Sequence, residues 1–217
     1  MIKISKSILY RYTVEEDIAN AIVHCFGTML SYIGLIYLVY VASIRGGSDD
    51  IIAYSIYGSS LIFMFLMSTL YHSIFHDMTR SVFKRLDHCA IFILITGTYT
   101  PIVISLLQTR IAYITLILLY IIAIAGIVFK TLFISKFKVL STLLYVIMGW
   151  TVIFQIKDLI ANLDINALIL LILGGALYTI GAVIYAFSNF KFHHLIWHIF
   201  VLLAAISHYF VVALYIL

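Results

Sequence analysis

His194 and His198, four residues apart in an apolar stretch near the C-terminus, have the spacing at which two imidazoles project from one face of a helix, one turn apart. Helical metal sites use this spacing, because two nitrogens about 2.0–2.1 Å from one ion need side chains about a turn apart. A third imidazole from another helix, His72, would complete a three-histidine site. Zinc with three protein ligands keeps an open fourth position, and a water held there has its pKa lowered to about 7. Asp87 would then accept a hydrogen bond from that water or serve as general base. Ser68, one turn from His72, would hold the water or polarise a substrate carbonyl.

Further polar residues enter the apolar stretches. Ionisable groups there are costly, and each is by default a functional hypothesis. Glu16, Asn20 and His24 follow one another at steps of four. Glu16 and Asp17 also suit a plain helix start, where acids meet the positive end of the dipole, whereas Asn20 and His24 lie deeper. His208 stands ten residues beyond His198, about 15 Å along a helix. That distance excludes it from the same ion, and leaves it either lining a cavity towards the site or pairing with a polar neighbour. His76 and His88 are expected to point to the interface or to solvent.

Composition supplies the elements that must position these groups. Of 217 residues, 65% are apolar and 10% charged, and the mean hydropathy is +1.17. A water-soluble globule needs more polar surface than that. Charged and small polar residues cut the chain into seven apolar stretches, at about 18–43, 51–75, 83–106, 111–131, 138–157, 166–188 and 192–216. Each is close to the ~20 residues that cross a bilayer as a helix. The runs are continuous rather than alternating segments of ~10 residues, so helices fit and barrel strands do not. Short connections make neighbouring helices antiparallel and residues 1–217 one domain. Pro101, the lone proline, should kink or end the third helix. Glycines such as Gly27, Gly97, Gly126 and Gly149 are expected at close helix contacts.

Charge gives a direction. With seven spans, one side receives Lys3, Lys6, Arg11, Arg80, Lys84, Arg85, Lys130, Lys136, Lys138 and Lys191, and the other Arg45, Arg110 and Lys157. Ten against three predicts an all-α integral membrane bundle with its N-terminus in the cytoplasm and its C-terminus outside. In this topology the second helix ends, and the first, third and seventh begin, on the cytoplasmic side. His24, His72, Asp87, His194 and His198 then fall in one layer near that face.

Several functional classes are excluded or left without support. The net charge of +4 follows from basic loops, and 13 Lys and Arg scattered between apolar runs make no nucleic-acid groove. Cys25 and Cys89 have no neighbouring thiol and form neither a disulfide framework nor a CxxC site; they read as buried spectators. The first 17 residues hold no apolar core before a small-residue cleavage site, so no cleavable signal is expected.

At its polar positions the chain resembles the hemolysin III family of the progestin and adipoQ receptor superfamily, and most nearly its proteobacterial members. The stretches that carry the resemblance are Glu16–Asp17–Ile18–Ala19–Asn20 with His24, Ser68–Thr69–Leu70–Tyr71–His72, and Leu86–Asp87–His88–Cys89–Ala90–Ile91 running into Gly97–Thr98–Tyr99–Thr100–Pro101. Met148–Gly149–Trp150 and His194–Leu195–Ile196–Trp197–His198 with His208 complete it. The resemblance implies seven helices with the N-terminus inside and a zinc ion near the cytoplasmic face of a bacterial plasma membrane. It places the zinc ligands on His72, His194 and His198, the motif serine on Ser68, and the aspartate beside the zinc-bound water on Asp87. The wider superfamily includes ceramidases and lipid-amide hydrolysis, while bacterial members carry a historical pore-forming label.

Three functions follow as expectations. The first is a zinc-dependent intramembrane hydrolase of a lipid amide or ester, with membrane lipids as partners. The second is a pore or cytolysin, which has no ring of charges in its favour. The third is a zinc-braced receptor or stress sensor without catalysis.

Overall fold

A computed structural model describes residues 12–134 and 136–217. Among the described residues the chain is helical, without a strand. The helices are α1 (Val14–Arg45), α2 (Ser48–Ser73), α3 (Asp77–Pro101), α4 (Arg110–Phe133), α5 (Lys138–Trp150), α6 (Ile156–Asn162), α7 (Ile165–Phe187) and α8 (His193–Tyr215). A π-helical turn, Ile102–Leu107, prolongs α3, and a 3-10 segment, Thr151–Gln155, joins α5 to α6. Seven segments are long and apolar enough to cross a membrane, the third being Asp77–Leu107 and the fifth Lys138–Asn162. The protein is a multi-pass membrane bundle. Large apolar side chains such as Ile36, Ile117, Phe154, Ile172 and Leu203 face outward, where lipid replaces water.

Sequence neighbours pack together, α1 on α2, α2 on α3 and α7 on α8, and α8 returns to α1 to close the bundle. Polar ties cross between the spans. The Tyr54 hydroxyl donates to the Val212 carbonyl (3.0 Å), that of Tyr209 to the Gly34 carbonyl (3.2 Å), and that of Ser207 to the Leu170 carbonyl (2.7 Å).

Two helices begin four or more residues earlier than apolarity suggests. α1 starts at Val14, four residues ahead of the expected 18, because Thr13 and Glu16 form a capping box that satisfies orphan amides at the start. α3 starts at Asp77 rather than 83, capped by His76, which accepts from the Thr79 amide. Its charged first turns stay helical because Arg80 and Lys84 are buried against neighbours, with the Arg80 guanidinium 4.9 Å from the Tyr71 ring centre. Cys25 is exposed on the outer face and only Cys89 is buried, which corrects the expectation of two buried thiols.

Pro101 ends the regular part of α3, as expected. It brings no amide hydrogen, and its ring crowds the preceding turn; the wider π turn that follows accommodates both. The break in the fifth span is satisfied by Tyr99. Its hydroxyl donates to the Gly149 carbonyl (2.8 Å) and accepts from the Val152 amide (2.7 Å) and the Thr151 hydroxyl (3.0 Å). One phenol thus pairs the interrupted backbone, which within a membrane has no water to turn to.

Glycines mark close approaches at some positions and not others. A Cβ on Gly126 would lie 2.3 Å from the Phe92 ring, whereas one on Gly149 would meet nothing within 4 Å. Phe92 is itself buried and has little room to move. Gly126→Ala is therefore expected to destabilise the detergent-solubilised protein by about 1–3 kcal/mol. Gly149→Ala, which removes helical flexibility without a clash, should leave the thermal unfolding midpoint unchanged or raise it.

Candidate metal centre

The three histidines singled out by spacing meet at one point. One ligand nitrogen from each of His72, His194 and His198 lies within 4.8 Å of the other two, and all three side chains are buried. His72 Nε2 faces His198 Nε2 at 3.2 Å. Both nitrogens of His194 and Nδ1 of His198 have no hydrogen-bond partner. Such orphans are uncommon in a buried site and call for an explanation. Three imidazoles sharing one small space form a donor set suited to a divalent ion of the zinc or copper type.

The start of α1 holds this centre from below. Glu16 Oε1 accepts from the Phe192 amide (2.8 Å) and Oε2 from the Thr13 amide (2.9 Å). Phe192 precedes α8 in a left-handed conformation, φ 64°, without a side-chain cap, so Glu16 supplies the acceptor that α8 lacks. Asp17 reaches the other wall. Its Oδ1 accepts from His72 Nδ1 at 2.7 Å and its Oδ2 from Arg80 at 2.7 Å. Tyr12 stacks on His194, ring centres 4.5 Å apart and nearly parallel.

The remaining expected residues surround the histidines. Ser68 Oγ, both amide atoms of Asn20 and both ring nitrogens of His24 are buried without partners, and the His24 ring meets that of His198 edge-on at 4.0 Å. A mostly apolar cavity of about 190 Å³ adjoins the centre, and His24, His194, His198, Asp87, His88 and Lys130 are among its lining. The cavity follows α3 from Asp87 to Ile102, about 22 Å of helix at 1.5 Å per residue. His208 lines its far part and also bonds the Leu171 carbonyl at 3.1 Å, so both expectations for it hold together.

Two expectations need correction. His88 does not point to solvent: it lines the cavity, with Nδ1 3.1 Å from Asp87 Oδ2 and 2.9 Å from the Lys84 carbonyl. The Tyr145 hydroxyl, which donates to the His88 carbonyl (3.0 Å), fixes that turn of backbone. Asp17 is more than a helix-start charge, since it is 1% exposed and bonds two partners on two other helices. Asp17, Asn20 and His24 sit at i, i+3 and i+7, one helix face, a spacing that marks Asp17 as buried. Nothing in the sequence marks Arg80.

With this geometry in view, comparison with known proteins is informative. The family model described as Haemolysin-III related matches residues 12–209, a stretch that includes every residue named at the centre. The chain belongs to that family. It is 41% identical over 204 residues to a protein of Bacillus subtilis named Hemolysin-3 homolog, covering 94% of this chain and 96% of the relative. It is 42% identical over 204 residues to Hemolysin-3 of Bacillus cereus, covering 94% and 93%. At 27% identity over 218 residues it is similar to the human Monocyte to macrophage differentiation factor, covering 94% and 85%. No solved structure matches the chain significantly.

The Glu16 bridge yields a test within this family scaffold. Glu16→Ala leaves the Thr13 and Phe192 amides without their acceptor and is expected to cost about 1–3 kcal/mol. The drop should appear in the thermal unfolding midpoint, with Glu15→Ala, on the exposed side of the same turn, as the control.

Proposed function

We propose that this haemolysin III-related protein is a zinc-dependent hydrolase of lipid amide or ester bonds, working inside a bacterial plasma membrane. The observation that carries the proposal is the meeting of three buried imidazoles, His72, His194 and His198, of which both nitrogens of His194 and Nδ1 of His198 lack partners, beside a mostly apolar cavity with a carboxylate in its wall. His72, His194 and His198 would hold the zinc. Zinc bound by three histidines supplies a Lewis acid and lowers the pKa of a coordinated water to about 7.

The chain's own residues would do the rest. The apolar lining, Leu94, Ile95, Ile153, Leu168 and Leu171 among it, accepts an acyl chain and excludes bulk water. Ser68 Oγ, buried and unpartnered, donates a hydrogen bond to the substrate carbonyl oxygen. Asp87 takes a proton from the attacking water, whose oxygen bonds to the carbonyl carbon. As the C–N or C–O bond breaks, Asp87 returns that proton to the departing amine or alkoxide. His88 holds the Asp87 carboxylate at 3.1 Å and so limits its rotation. The products are a fatty acid and an amine or alcohol.

The relatives named Hemolysin-3 suggest a second reading as a cytolysin, and the same cavity and centre also suit a zinc-braced lipid sensor. Purified wild-type protein is expected to carry about one zinc per chain and His194→Ala to lose it; an unchanged, metal-free pair would sink the metal reading. Asp87→Ala should retain most of the zinc yet release fatty acid from lipid amides or esters about 10²–10⁴-fold more slowly. Full turnover in that variant would remove Asp87 from the chemistry. Zinc binding with no release from any lipid amide or ester would favour the sensor, and lysis of cells by added protein the cytolysin.

The bias of Lys and Arg supports insertion with the N-terminus in the cytoplasm. Alkaline phosphatase fused after Leu217 should then be active in the bacterial envelope, and the same reporter fused after Ser188 inactive. The reverse pattern would invert the proposed topology.

A further inference from the structure

Of the three histidines at the centre, His72 alone has a protein partner on the nitrogen turned away from the others. That partner, Asp17, is itself held. Its second oxygen receives Arg80 at 2.7 Å, and the same guanidinium donates to the Ile74 carbonyl at 3.1 Å, two residues past His72. The guanidinium also lies over the Tyr71 and Phe75 rings at 4.9 and 5.7 Å. Asp17, His72 and Arg80 are 1%, 1% and 0% exposed. Three spans, α1, α2 and α3, thus contribute one residue each to a closed chain of charge-assisted bonds, which are shorter and stronger than neutral ones.

We infer that Asp17 is a positioning residue for the metal centre: braced by Arg80, its carboxylate holds His72 with Nδ1–H outward and Nε2 as the donor facing the ion. The inference rests on the proposed metal site and goes beyond its ligand set. A neutral imidazole has one donor and one acceptor nitrogen, and the bond made by one fixes the role of the other. With Nδ1 committed to Asp17, the Nε2 lone pair points at the space shared with His194 and His198. Because Arg80 grips both the carboxylate and the backbone after His72, the ring can neither flip nor swing away. Carboxylate partners of this kind orient metal-bound histidines, and their loss weakens metal affinity about 10–100-fold.

Zinc affinity of the purified full-length protein, measured by competition with a chromophoric chelator, tests this. Asp17→Asn preserves side-chain volume but turns an N–H towards either His72 or Arg80. It is expected to weaken zinc binding about 10–100-fold and to shift the visible bands of the cobalt-substituted protein, with metal-free helicity as in wild type at the assay temperature and a lowered unfolding midpoint, since Arg80 loses its buried counter-charge. Asp17→Glu, which keeps the charge, should recover part of the affinity. Wild-type affinity and unshifted cobalt bands in Asp17→Asn, with His72→Ala unable to bind, would overturn the role of Asp17 and leave the metal site standing. Wild-type affinity in both variants would remove the metal site itself. An affinity loss that tracks lost helicity in the metal-free protein, without recovery in Asp17→Glu, would assign Asp17 to the fold and overturn the inference.

Discussion

Three imidazoles that bring one nitrogen each within 4.8 Å of the others, with three of their six nitrogens unpartnered, are an arrangement that packing alone does not favour. Each unpartnered buried polar group costs about 1–3 kcal/mol, so the cluster persists only where its surroundings over-determine it. The first turn of α1 provides that constraint. Glu16 ties the start of α8, which carries His194 and His198, and Asp17 ties the end of α2, which carries His72. Adjacent residues thereby face two different helices, and the capping box that fixes this turn becomes part of the geometry of the centre. Arg80 extends the clamp to α3, the helix that also presents Asp87.

The same economy appears where the helices break. Irregular backbone within a membrane is tolerated only when buried in protein or lining a cavity. Both irregular segments obey this. The π turn after Pro101 contributes Ile102 to the cavity, and the 3-10 segment contributes Val152 and Ile153. Tyr99, three residues before the π turn and hydrogen-bonded across to the other break, pairs the freed carbonyl of Gly149 and amide of Val152. Both departures from helical regularity thus border the cavity that adjoins the histidine centre.

Much of this was legible in the sequence because it depends on period and sign. Continuous apolar runs located all seven spans, Pro101 marked the end of regular helix in the third, and the i, i+4 spacing of His194 and His198 selected the pair that meets His72. Boundaries shifted where polar residues extend a helix beyond its apolar part, as the capped start of α1 and the buried Arg80 and Lys84 of α3 do. Asp17 was obscured by position, since an acid in a first turn already has an explanation in the helix dipole. What distinguishes it is its neighbour across the bundle, Arg80, some 63 positions later in the chain. No periodicity connects residues that far apart, and only the antiparallel pairing of α1, α2 and α3 brings them together.

The inward turn of His88 follows from the same logic and bears on how the centre would work. A histidine beside an aspartate in a membrane span is satisfied either by an interface or by partners inside. Here the Lys84 carbonyl, Asp87 and the Tyr185 hydroxyl at 3.4 Å supply those partners, and the interface is not needed. Asp87 is consequently held at the cavity that His24, His194 and His198 also line rather than free to seek solvent. Lys130 lines the same cavity, placing a cation near a carboxylate that would otherwise stand in a mostly apolar space. Ionisable groups from α1, α3, α4 and α8 thus border one mostly apolar space, so the bundle sets His24, Asp87, His88, Lys130, His194 and His198 against a hydrocarbon lining within a single cavity.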